Sequence, residues 1–418
     1  MNIVFIVDSY LPAPAAVGVC VMNVVEAMKS EHDITVLALA STPGMKDVHS
    51  IEGEGYRIVY VKTPESVLRA RSIERLRSGT SECSKLLGSI GLLSARFWRQ
   101  LRLVCSENAC DPNLVEAYYK ALSGLPEAPN VIVPACMPFE SVVAASKYKD
   151  QIASTNVVPM LFDQFADSST IYRLHLEKRV KYRANVDVER EALSRAKSIM
   201  QITWSDHIAD EFPEFSSKLV RIEHPLLINR RAFVQKKHSR DITMVYAGAL
   251  DRDIRNPAWV IEVLEKALNT EDLKSIVEFY VPSSQKYLCY FKGKNPRFQI
   301  KEAVPYSEIS TVLGNASCLL SIGNQTIDQK VSKIYEYMGY GLPILHFAAR
   351  LDDPAVQDIE KYPLGCLIFK TDSLDSNCDK IRIFLEANSD SEIEYETVCD
   401  LFPEESPKMI AQIIEGCA

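Results

Sequence analysis

The sequence lacks the features of a membrane-spanning or secreted protein. None of its apolar runs reaches the length of about 20 residues that is needed to cross a bilayer. Its start, MNIVFIVDSY, is a short apolar run without a basic segment, so we expect no signal peptide. These absences predict a cytoplasmic protein.

Motifs for zinc and for dinucleotides are missing as well. The 11 cysteines are an odd number without a CxxC pair, and Cys105 and Cys110 have no histidine nearby. We therefore expect reduced thiols and no zinc site. The absence of GxGxxG removes the usual dinucleotide fingerprint. A net charge of −8 argues against a general nucleic-acid binder.

What the sequence does contain is a regular alternation of apolar strands and amphipathic helices. Residues 2–7 and 33–40 read as strands, and the apolar periodicity of residues 17–28 predicts a helix between them. This strand–helix–strand spacing is typical of a doubly wound parallel sheet. It predicts an α/β fold.

The chain is too long for one hydrophobic core, and a second strand–helix series begins near Asp241. We predict two Rossmann-like domains facing a cleft. The first comprises residues 1–225, and the second comprises residues 241–418. The basic, aperiodic residues 226–240 are interpreted as the linker, and the last helix as one that could cross back to the first domain.

Residues 317–344, SCLLSIGNQTIDQKVSKIYEYMGYGLPI, form the most informative stretch. An apolar strand, a Gly-Asn break and a helix follow one another here. The helix is expected to begin near Val331 or Ser332 and to end at Gly341, because Pro343 follows. Its predicted core stripe consists of Val331, Ile334, Tyr335 and Met338. Its other face carries Ser332, Glu336 and Tyr340.

This arrangement suits a ligand with a phosphate group and paired hydroxyls. The first helical turn offers unpaired N–H groups and a partial positive charge, and Lys333 adds a full charge there. Glu336 can accept hydrogen bonds from the paired hydroxyls of a ribose, and Asp328 lies in the preceding loop. An ordinary charged surface helix is the alternative, but the combination with the Gly-Leu-Pro stop favours a ligand site.

A second loop points to the same ligand. Gly248 follows the predicted strand 241–246, where a missing Cβ lets backbone N–H groups face an anion. Arg255, just before the next helix, can grip a diphosphate through two parallel hydrogen bonds. Since no acidic metal motif is present, we assign stabilisation of the diphosphate to Arg255, Lys333 and the helix N-terminus, without a metal or other cofactor.

The segment KVSKIYEYMGYGLPIL resembles the donor-binding signature of nucleotide-sugar glycosyltransferases of the GT-B fold, in particular the retaining, family 4-like group. The resemblance implies that Glu336 holds the ribose and that Asp328 lies near the donor sugar. It implies that Ser332 and Lys333 meet the diphosphate.

The same resemblance places a basic residue at the position of Arg255 and the backbone around Val304 at the edge of the nucleobase. The implied activity is a hexosyltransferase reaction in polysaccharide or glycoconjugate biosynthesis. A sugar would pass from a nucleotide-diphosphate sugar to a glycan, a lipid-linked acceptor or another acceptor. Retention of configuration is the implied outcome.

Two departures from the family pattern keep other functions open. The family usually has Glu where this chain has Asp328. Many retaining members carry a His after the strand that matches NVIVPA, and this chain has ACMPFE there. A non-catalytic glycosyltransferase-like partner subunit and a sugar-nucleotide epimerase of the same fold are therefore the alternatives.

Candidate acceptor-side residues lie in the first domain. Ligands of open α/β sheets lie beyond the carboxyl ends of the strands, which makes Asp163 and the turn at residues 136–140 candidates. A role as helix cap or turn residue is the alternative for both. Gly18, at a loop–helix junction, allows close approach of a ligand or serves loop geometry. The resemblance places its loop beside the interdomain cleft.

Residues 69–102 form a basic stretch, in which eight basic residues against two acidic ones give a charge of +6. An apolar stripe at helical spacing runs through it and consists of Leu86, Ile90, Leu93, Phe97, Leu101 and Val104. The stretch is either a core helix with a solvated basic face or an amphipathic surface that meets anionic lipid at the inner face of the membrane. Because Gly88 and Gly91 weaken the helix, we favour the core helix.

Overall fold

The structure is a computed structural model of the chain. It describes residues 1–418 with the exception of 13, 41–43, 46–48, 54, 79–80, 169–174, 203–205, 236–240, 253, 270–273, 282–286, 289–294, 303 and 326–329. The chain divides into two compact units. Unit 1 comprises residues 1–225 and 407–418, and unit 2 comprises residues 226–406. Residues 226–235, part of the predicted linker, thus fall in unit 2.

The sheet of unit 1 has nine strands in the described chain. They are β1 (Asn2–Val7), β2 (Asp33–Leu39), β3 (Ser50–Gly53), β4 (Tyr56–Val61), β5 (Val131–Cys136), β6 (Asn156–Val157), β7 (Met160–Leu161), β8 (Ile199–Ile202) and β9 (Leu219–Ile222). Their order is β3-β4-β2-β1-β5-β7-β8-β9, with β6 beside β5. All pairs are parallel except β3 with β4. Because β1 lies between β2 and β5, the strand order reverses there and creates a switch point.

Eight α-helices accompany this sheet among the described residues. They are α1 (Ala16–Met28), α2 (Pro64–Ser78), α3 (Glu82–Cys105), α4 (Pro112–Ser123), α5 (Glu140–Gln151), α6 (His175–Ser194), α7 (His207–Glu211) and α14 (Pro407–Glu415). Helix α4 begins where the side chain of Asp111 accepts a hydrogen bond from the N–H of Asn113, and Pro112 occupies the first turn.

The C-terminal helix α14 completes the core of unit 1. It packs against α1, and its residues Ile410 and Ile414 are fully buried. The amide Nδ2 of Asn156 donates to the carbonyl of Cys417 over 2.8 Å. Residues 407–418 are therefore part of the first unit although they follow the second in sequence.

Unit 2 has a six-stranded, fully parallel sheet in the described chain. Its strands are β10 (Ile242–Ala247), β11 (Ser275–Tyr280), β12 (Phe298–Lys301), β13 (Cys318–Ile322), β14 (Ile344–Ala348) and β15 (Gly365–Phe369). Its helices are α8 (Ala258–Ala267), α9 (Tyr306–Gly314), α10 (Lys333–Met338), α11 (Val356–Lys361), α12 (Leu374–Asn388) and α13 (Tyr395–Leu401). The order β12-β11-β10-β13-β14-β15 puts a second switch point between β10 and β13.

The predicted α/β fold class is confirmed, since each unit is a sheet of mainly parallel strands flanked by helices. Residues 156–161 form two short strands, β6 and β7, because Pro159 has no N–H for the sheet ladder.

The preference for a core helix in the basic stretch is wrong. The exposed fractions of eight large apolar side chains on α3 lie between 41% and 65%. They are Leu86, Leu87, Ile90, Leu93, Phe97, Trp98, Leu101 and Val104. The two glycines serve the packing of α3 on α2 instead, because a Cβ at Gly91 would lie 2.2 Å from Oγ of Ser72. No described helix has both the length and the apolar composition for a membrane span.

Candidate functional site

Two loops meet at the switch point of unit 2. Nη2 and Nε of Arg255, in the loop after β10, donate to Oδ1 of Asn324 over 2.8 and 3.2 Å. Asn324 belongs to the loop after β13. In the same place the N–H of Gln325 donates to the carbonyl of Ile254 over 2.7 Å. The loops that the sequence analysis singled out are therefore physically joined at the carboxyl ends of β10 and β13.

The backbone around Arg255 is fixed by its own loop. Arg255 and Asp251 exchange two backbone hydrogen bonds of 3.0 and 3.1 Å, and the Asp251 carboxylate accepts from the N–H of Ile254. Burial raises the pKa of Tyr246, whereas the charge of Arg255 and its hydrogen bond to the Tyr246 hydroxyl act in the opposite direction. The guanidinium of Arg255 is thus held between Tyr246 and Asn324. It has five N–H donors, more than these two contacts use.

Gly248 does not supply the expected backbone donor. Its N–H, predicted to face an anion, instead donates to the carbonyl of Tyr280 over 3.1 Å. A Cβ at Gly248 would lie 3.2 Å from the hydroxyl oxygen of Tyr246, so the glycine leaves room for that hydroxyl. The cationic side chain of Arg255 can therefore meet an anion, whereas the N–H of Gly248 is already bonded.

Helix α10 is shorter and more deeply buried than expected. It begins at Lys333 and has six residues, whereas the predicted helix ran from about residue 331 to Gly341. Ser332 precedes it without a side-chain capping bond. Gly341 ends the following turn with a φ of +67°. The chain stops as predicted because that backbone conformation favours glycine.

The predicted core stripe of α10 is confirmed, with Val331 at 5% exposure and its three other members fully buried. The assignment of Glu336 and Tyr340 to a face away from the core is wrong. Glu336 is only 8% exposed, and Tyr340 is fully buried. The helix lies inside unit 2, so packing acts on both of its faces.

Glu336 lies between two cations. Its Oε2 is 3.7 Å from Nζ of Lys333, and its Oε1 is 3.9 Å from Nη2 of Arg230. Arg230 is 7% exposed and is itself held by Oγ of Ser310 over 2.9 Å. Arg230 is a site residue that the sequence analysis missed, because it lies in the segment interpreted as a linker.

Two tyrosines fix α10 against its neighbours. The hydroxyl of Tyr337 donates to the carbonyl of Ala247, at the end of β10, over 3.2 Å. The hydroxyl of Tyr335 donates to Oδ2 of Asp358 over 2.8 Å, and Nζ of Lys330 lies 2.7 Å from the same atom. These ties place Glu336 and Lys333 on the same end of the sheet as Arg255.

The remaining predicted residues have separate positions. Asp328 lies outside the described residues. Val304 is half-buried in the connection between β12 and α9. In unit 1, burial raises the pKa of the Asp163 carboxyl, which follows β7. A Cβ at Gly18 would lie 2.0 Å from the carbonyl oxygen of Ser9, so close packing accounts for this glycine.

One group in the described chain has the spacing of metal ligands. The group has three members, and their ligand atoms, one from each residue, lie within 4.8 Å of one another. The members are Glu31, His32 and Glu415. Both glutamates are exposed, and Nε2 of His32 already lies 2.9 Å from Oε1 of Glu415. This contact accounts for the group as a tie between α14 and the turn after α1, and we assign no metal to it.

Comparison with solved structures identifies the fold. An α,α-trehalose-phosphate synthase (UDP-forming) from Burkholderia xenovorans, in complex with glucose-6-phosphate, has 9% sequence identity and a TM-score of 0.59, with 100% of both chains covered. The catalytic domain of starch synthase IV from Arabidopsis thaliana, bound to ADP and acarbose, has 10% identity and a TM-score of 0.57, covering 100% of this chain and 98% of that one.

A putative UDP-N-acetylglucosamine 2-epimerase from Listeria monocytogenes is also similar, with 9% identity and a TM-score of 0.53 over 98% of this chain and 94% of that one. No protein-family model matches the sequence, and no curated protein matches it. The chain has the GT-B fold, and its similarity to these proteins lies in structure at low sequence identity.

Proposed function

We propose that the protein is a glycosyltransferase that moves a sugar from a nucleotide-diphosphate sugar to an acceptor. The observation that carries this proposal is the junction of the two loops at the switch point of unit 2, where Asn324 orients Arg255. Open α/β sheets bind nucleotides at this position. The GT-B fold and the segment KVSKIYEYMGYGLPIL, which resembles a donor-binding signature, support the same conclusion.

Each donor-site residue has one role in the proposed reaction. Arg255 and Lys333 bind the diphosphate and offset the negative charge that grows on it as the sugar leaves. Glu336 accepts hydrogen bonds from the ribose hydroxyls, and the family resemblance implies a role beside the donor sugar for Asp328. The reaction retains the configuration at the sugar and uses no metal ion; the family resemblance supports the first statement, and the lack of an acidic metal motif supports the second.

Unit 1 carries the acceptor side of the proposed enzyme. Its acceptor is a glycan or a lipid-linked molecule, and Asp163 belongs to this side. The exposed apolar face of α3, together with the basic residues of α2 and α3, supports peripheral contact with an anionic membrane.

Nucleotide binding is the first test of the proposal. UDP, GDP, ADP, TDP and CMP are titrated against the purified protein by calorimetry, and the best ligand is then supplied as its nucleotide sugar with candidate acceptors. Binding of one diphosphate, weakened by Arg255→Gln, is the expected result. Absence of binding to every nucleotide would refute the donor site, and with it the proposed reaction.

Epimerisation of the sugar nucleotide is the second candidate, favoured by the similarity to the putative 2-epimerase. An epimerase changes the donor without any acceptor and leaves the sugar–phosphate bond intact at the end of the reaction. Analysis of products from the nucleotide sugar alone therefore separates the two activities. A non-catalytic partner subunit would bind the nucleotide and yield neither product.

A further inference from the structure

A cavity of about 520 Å³ lies in unit 1, at the carboxyl end of its sheet. Asp8, directly after β1, and Pro138, shortly after β5, both line it, so the cavity is at the switch point of this sheet. Its volume is in the range of small-molecule sites. A switch point is where α/β sheets bind ligands, which gives this cavity a position equivalent to the donor site of unit 2.

Arginine dominates the wall of this cavity. Arg69 of α2 and Arg96 and Arg99 of α3 all line it. None of the three makes a hydrogen bond or an ion pair with another residue of the described chain. Three guanidinium groups whose donors the described residues leave unused therefore line one cavity.

The carboxylates in the same wall do not cancel this charge. Glu65 and Asp111 are already bound by Arg102, whose Nη1 lies 2.6 Å from Oε1 of Glu65 and whose Nη2 lies 3.0 Å from Oδ2 of Asp111. Asp8 is the one remaining lining carboxylate. Asp8 lies close enough to Arg99 and Arg69 for their charges to act on its carboxylate. With Arg102 included, four arginines against three carboxylates leave an excess of one positive charge.

We propose that this cavity binds a phosphate group of the acceptor, held by Arg69, Arg96 and Arg99. Guanidinium groups bind phosphate through paired N–H donors at fixed geometry, which suits a wall with three of them. This inference rests on the proposed function, because only a sugar-transfer reaction has an acceptor. It names the chemical class of that acceptor.

The phosphate has two possible sources, a soluble phosphorylated molecule or a lipid headgroup. Helix α3 is compatible with either source. It lines the cavity with Arg96 and Arg99, and it also carries the exposed apolar side chains Phe97 and Trp98. A helix of this kind can lie in a membrane interface while its basic residues meet headgroups.

The test compares two double variants of the full chain. Arg96→Gln with Arg99→Gln removes two charges from the cavity wall. Arg71→Gln with Arg75→Gln removes two exposed charges from α2 that do not line it, and serves as the matched control. All four arginines are exposed, so both variants should fold, and circular dichroism verifies this.

Two arms distinguish the sources of the phosphate. In the first, inorganic phosphate and glycerol phosphate are titrated by calorimetry. In the second, phosphatidylcholine vesicles with and without phosphatidylglycerol are used in flotation. The cavity variant should lose at least about tenfold in affinity in one arm, because each charge-assisted hydrogen bond contributes about that factor, while the control changes by less than about threefold. Loss in the first arm identifies a soluble phosphate, and loss in the second identifies a lipid headgroup.

Equal losses of affinity in the two double variants would show that binding depends on diffuse surface charge, and this would overturn the proposal. Absence of binding in both arms would overturn it as well. Nucleotide binding is measured in parallel on every variant. Normal nucleotide binding without phosphate binding refutes the cavity site and leaves the donor site standing. Phosphate binding without nucleotide binding refutes the proposed reaction alone.

Discussion

Arg255 and Asn324 form a two-pronged contact in which Nη2 and Nε of the guanidinium donate to a single amide oxygen, over 2.8 and 3.2 Å. The asparagine fixes the plane of the guanidinium while carrying no charge that would compete with a phosphate. Because the two residues follow different strands, their contact fixes the relative position of both loops. It is therefore expected to control the affinity of the site for a nucleotide diphosphate.

Arg255→Gln should weaken binding of the nucleoside diphosphate by about 1.5–3 kcal/mol, the contribution of hydrogen bonds to a charged group. Asn324→Ala should weaken binding less, by about 1 kcal/mol, since it removes only the contact that orients Arg255. Arg252→Gln is the matched control, because Arg252 is an exposed arginine of the same loop. Calorimetric titration measures all three. Equal losses for the diphosphate and for the nucleoside without phosphates would place the effect elsewhere.

Glu336→Gln should destabilise the fold by about 1–3 kcal/mol, because it removes the charge that compensates buried Arg230. The burial of Glu336 thus replaces the position away from the core that helical spacing predicted. Lys333→Gln is the comparison, since about a third of the Lys333 side chain is exposed and its loss should cost less. Urea unfolding curves measure both. A smaller loss of unfolding free energy for Glu336→Gln than for Lys333→Gln would show that the Glu336 carboxylate does not compensate Arg230.

The role of Glu336 in ligand binding has a separate test. A 2′-deoxy nucleotide lacks one ribose hydroxyl and should bind the wild-type protein less tightly than the ribonucleotide. This gap should shrink in Glu336→Gln, because the ligand hydroxyl and the carboxylate act as the two changes of a double-mutant cycle. The affinities are measured at a temperature well below the midpoint of thermal unfolding of the variant. A gap of unchanged size would mean that Glu336 does not contact the ribose.

Phe97→Ser with Trp98→Ser should reduce binding to vesicles that contain phosphatidylglycerol, since both side chains are more than half exposed on α3. The free energy of unfolding should change by less than about 0.5 kcal/mol, as is usual for surface positions. Ile383→Ser on α12 is the control, with a side chain that is 67% exposed in unit 2. Flotation at low and high salt gives the measurement. Retention of vesicle binding in the double variant would exclude this helix face as the contact.

His207 should make stability depend on pH. Burial disfavours the charged ring, but the hydrogen bond to Glu189 and its charge outweigh this and raise the pKa of His207 in the folded state. The ordinary value is about 6.5, so this stabilisation is complete below that pH and is lost as pH rises through the folded pKa. Unfolding free energies at a series of pH values should fall across this window in the wild type. In His207→Gln the fall should be smaller, and an identical pH profile would contradict the assignment.

The strands were predictable because their composition matches their environment. Ile3 through Val7 are fully buried, and a continuous apolar run is typical of a parallel strand covered on both faces. Helix α4 also had a local signal, in Asp111 followed by Pro112, which the sequence analysis did not use. Strand β15 was missed because most of its residues are only partly buried, which weakens its apolar pattern.

The side-chain environment of the site was less predictable than its loops. Spacing identified Arg255 and Glu336, but it could not show that Arg230 reaches Glu336, because that contact joins distant parts of the chain. The periodicity of α3 is equally compatible with a covered and an uncovered apolar face. Only the tertiary structure shows that Leu93 and Phe97 remain exposed.

The assignment of residues 407–418 to unit 1 has a consequence for synthesis on the ribosome. The helix that covers α1 leaves the exit tunnel only after all of unit 2 has been translated. Until then, the apolar surface that receives Ile410 and Ile414 stays uncovered on the nascent chain. Unit 2 has its whole sequence available earlier, so it can finish folding first, and the N-terminal half of the protein is completed last.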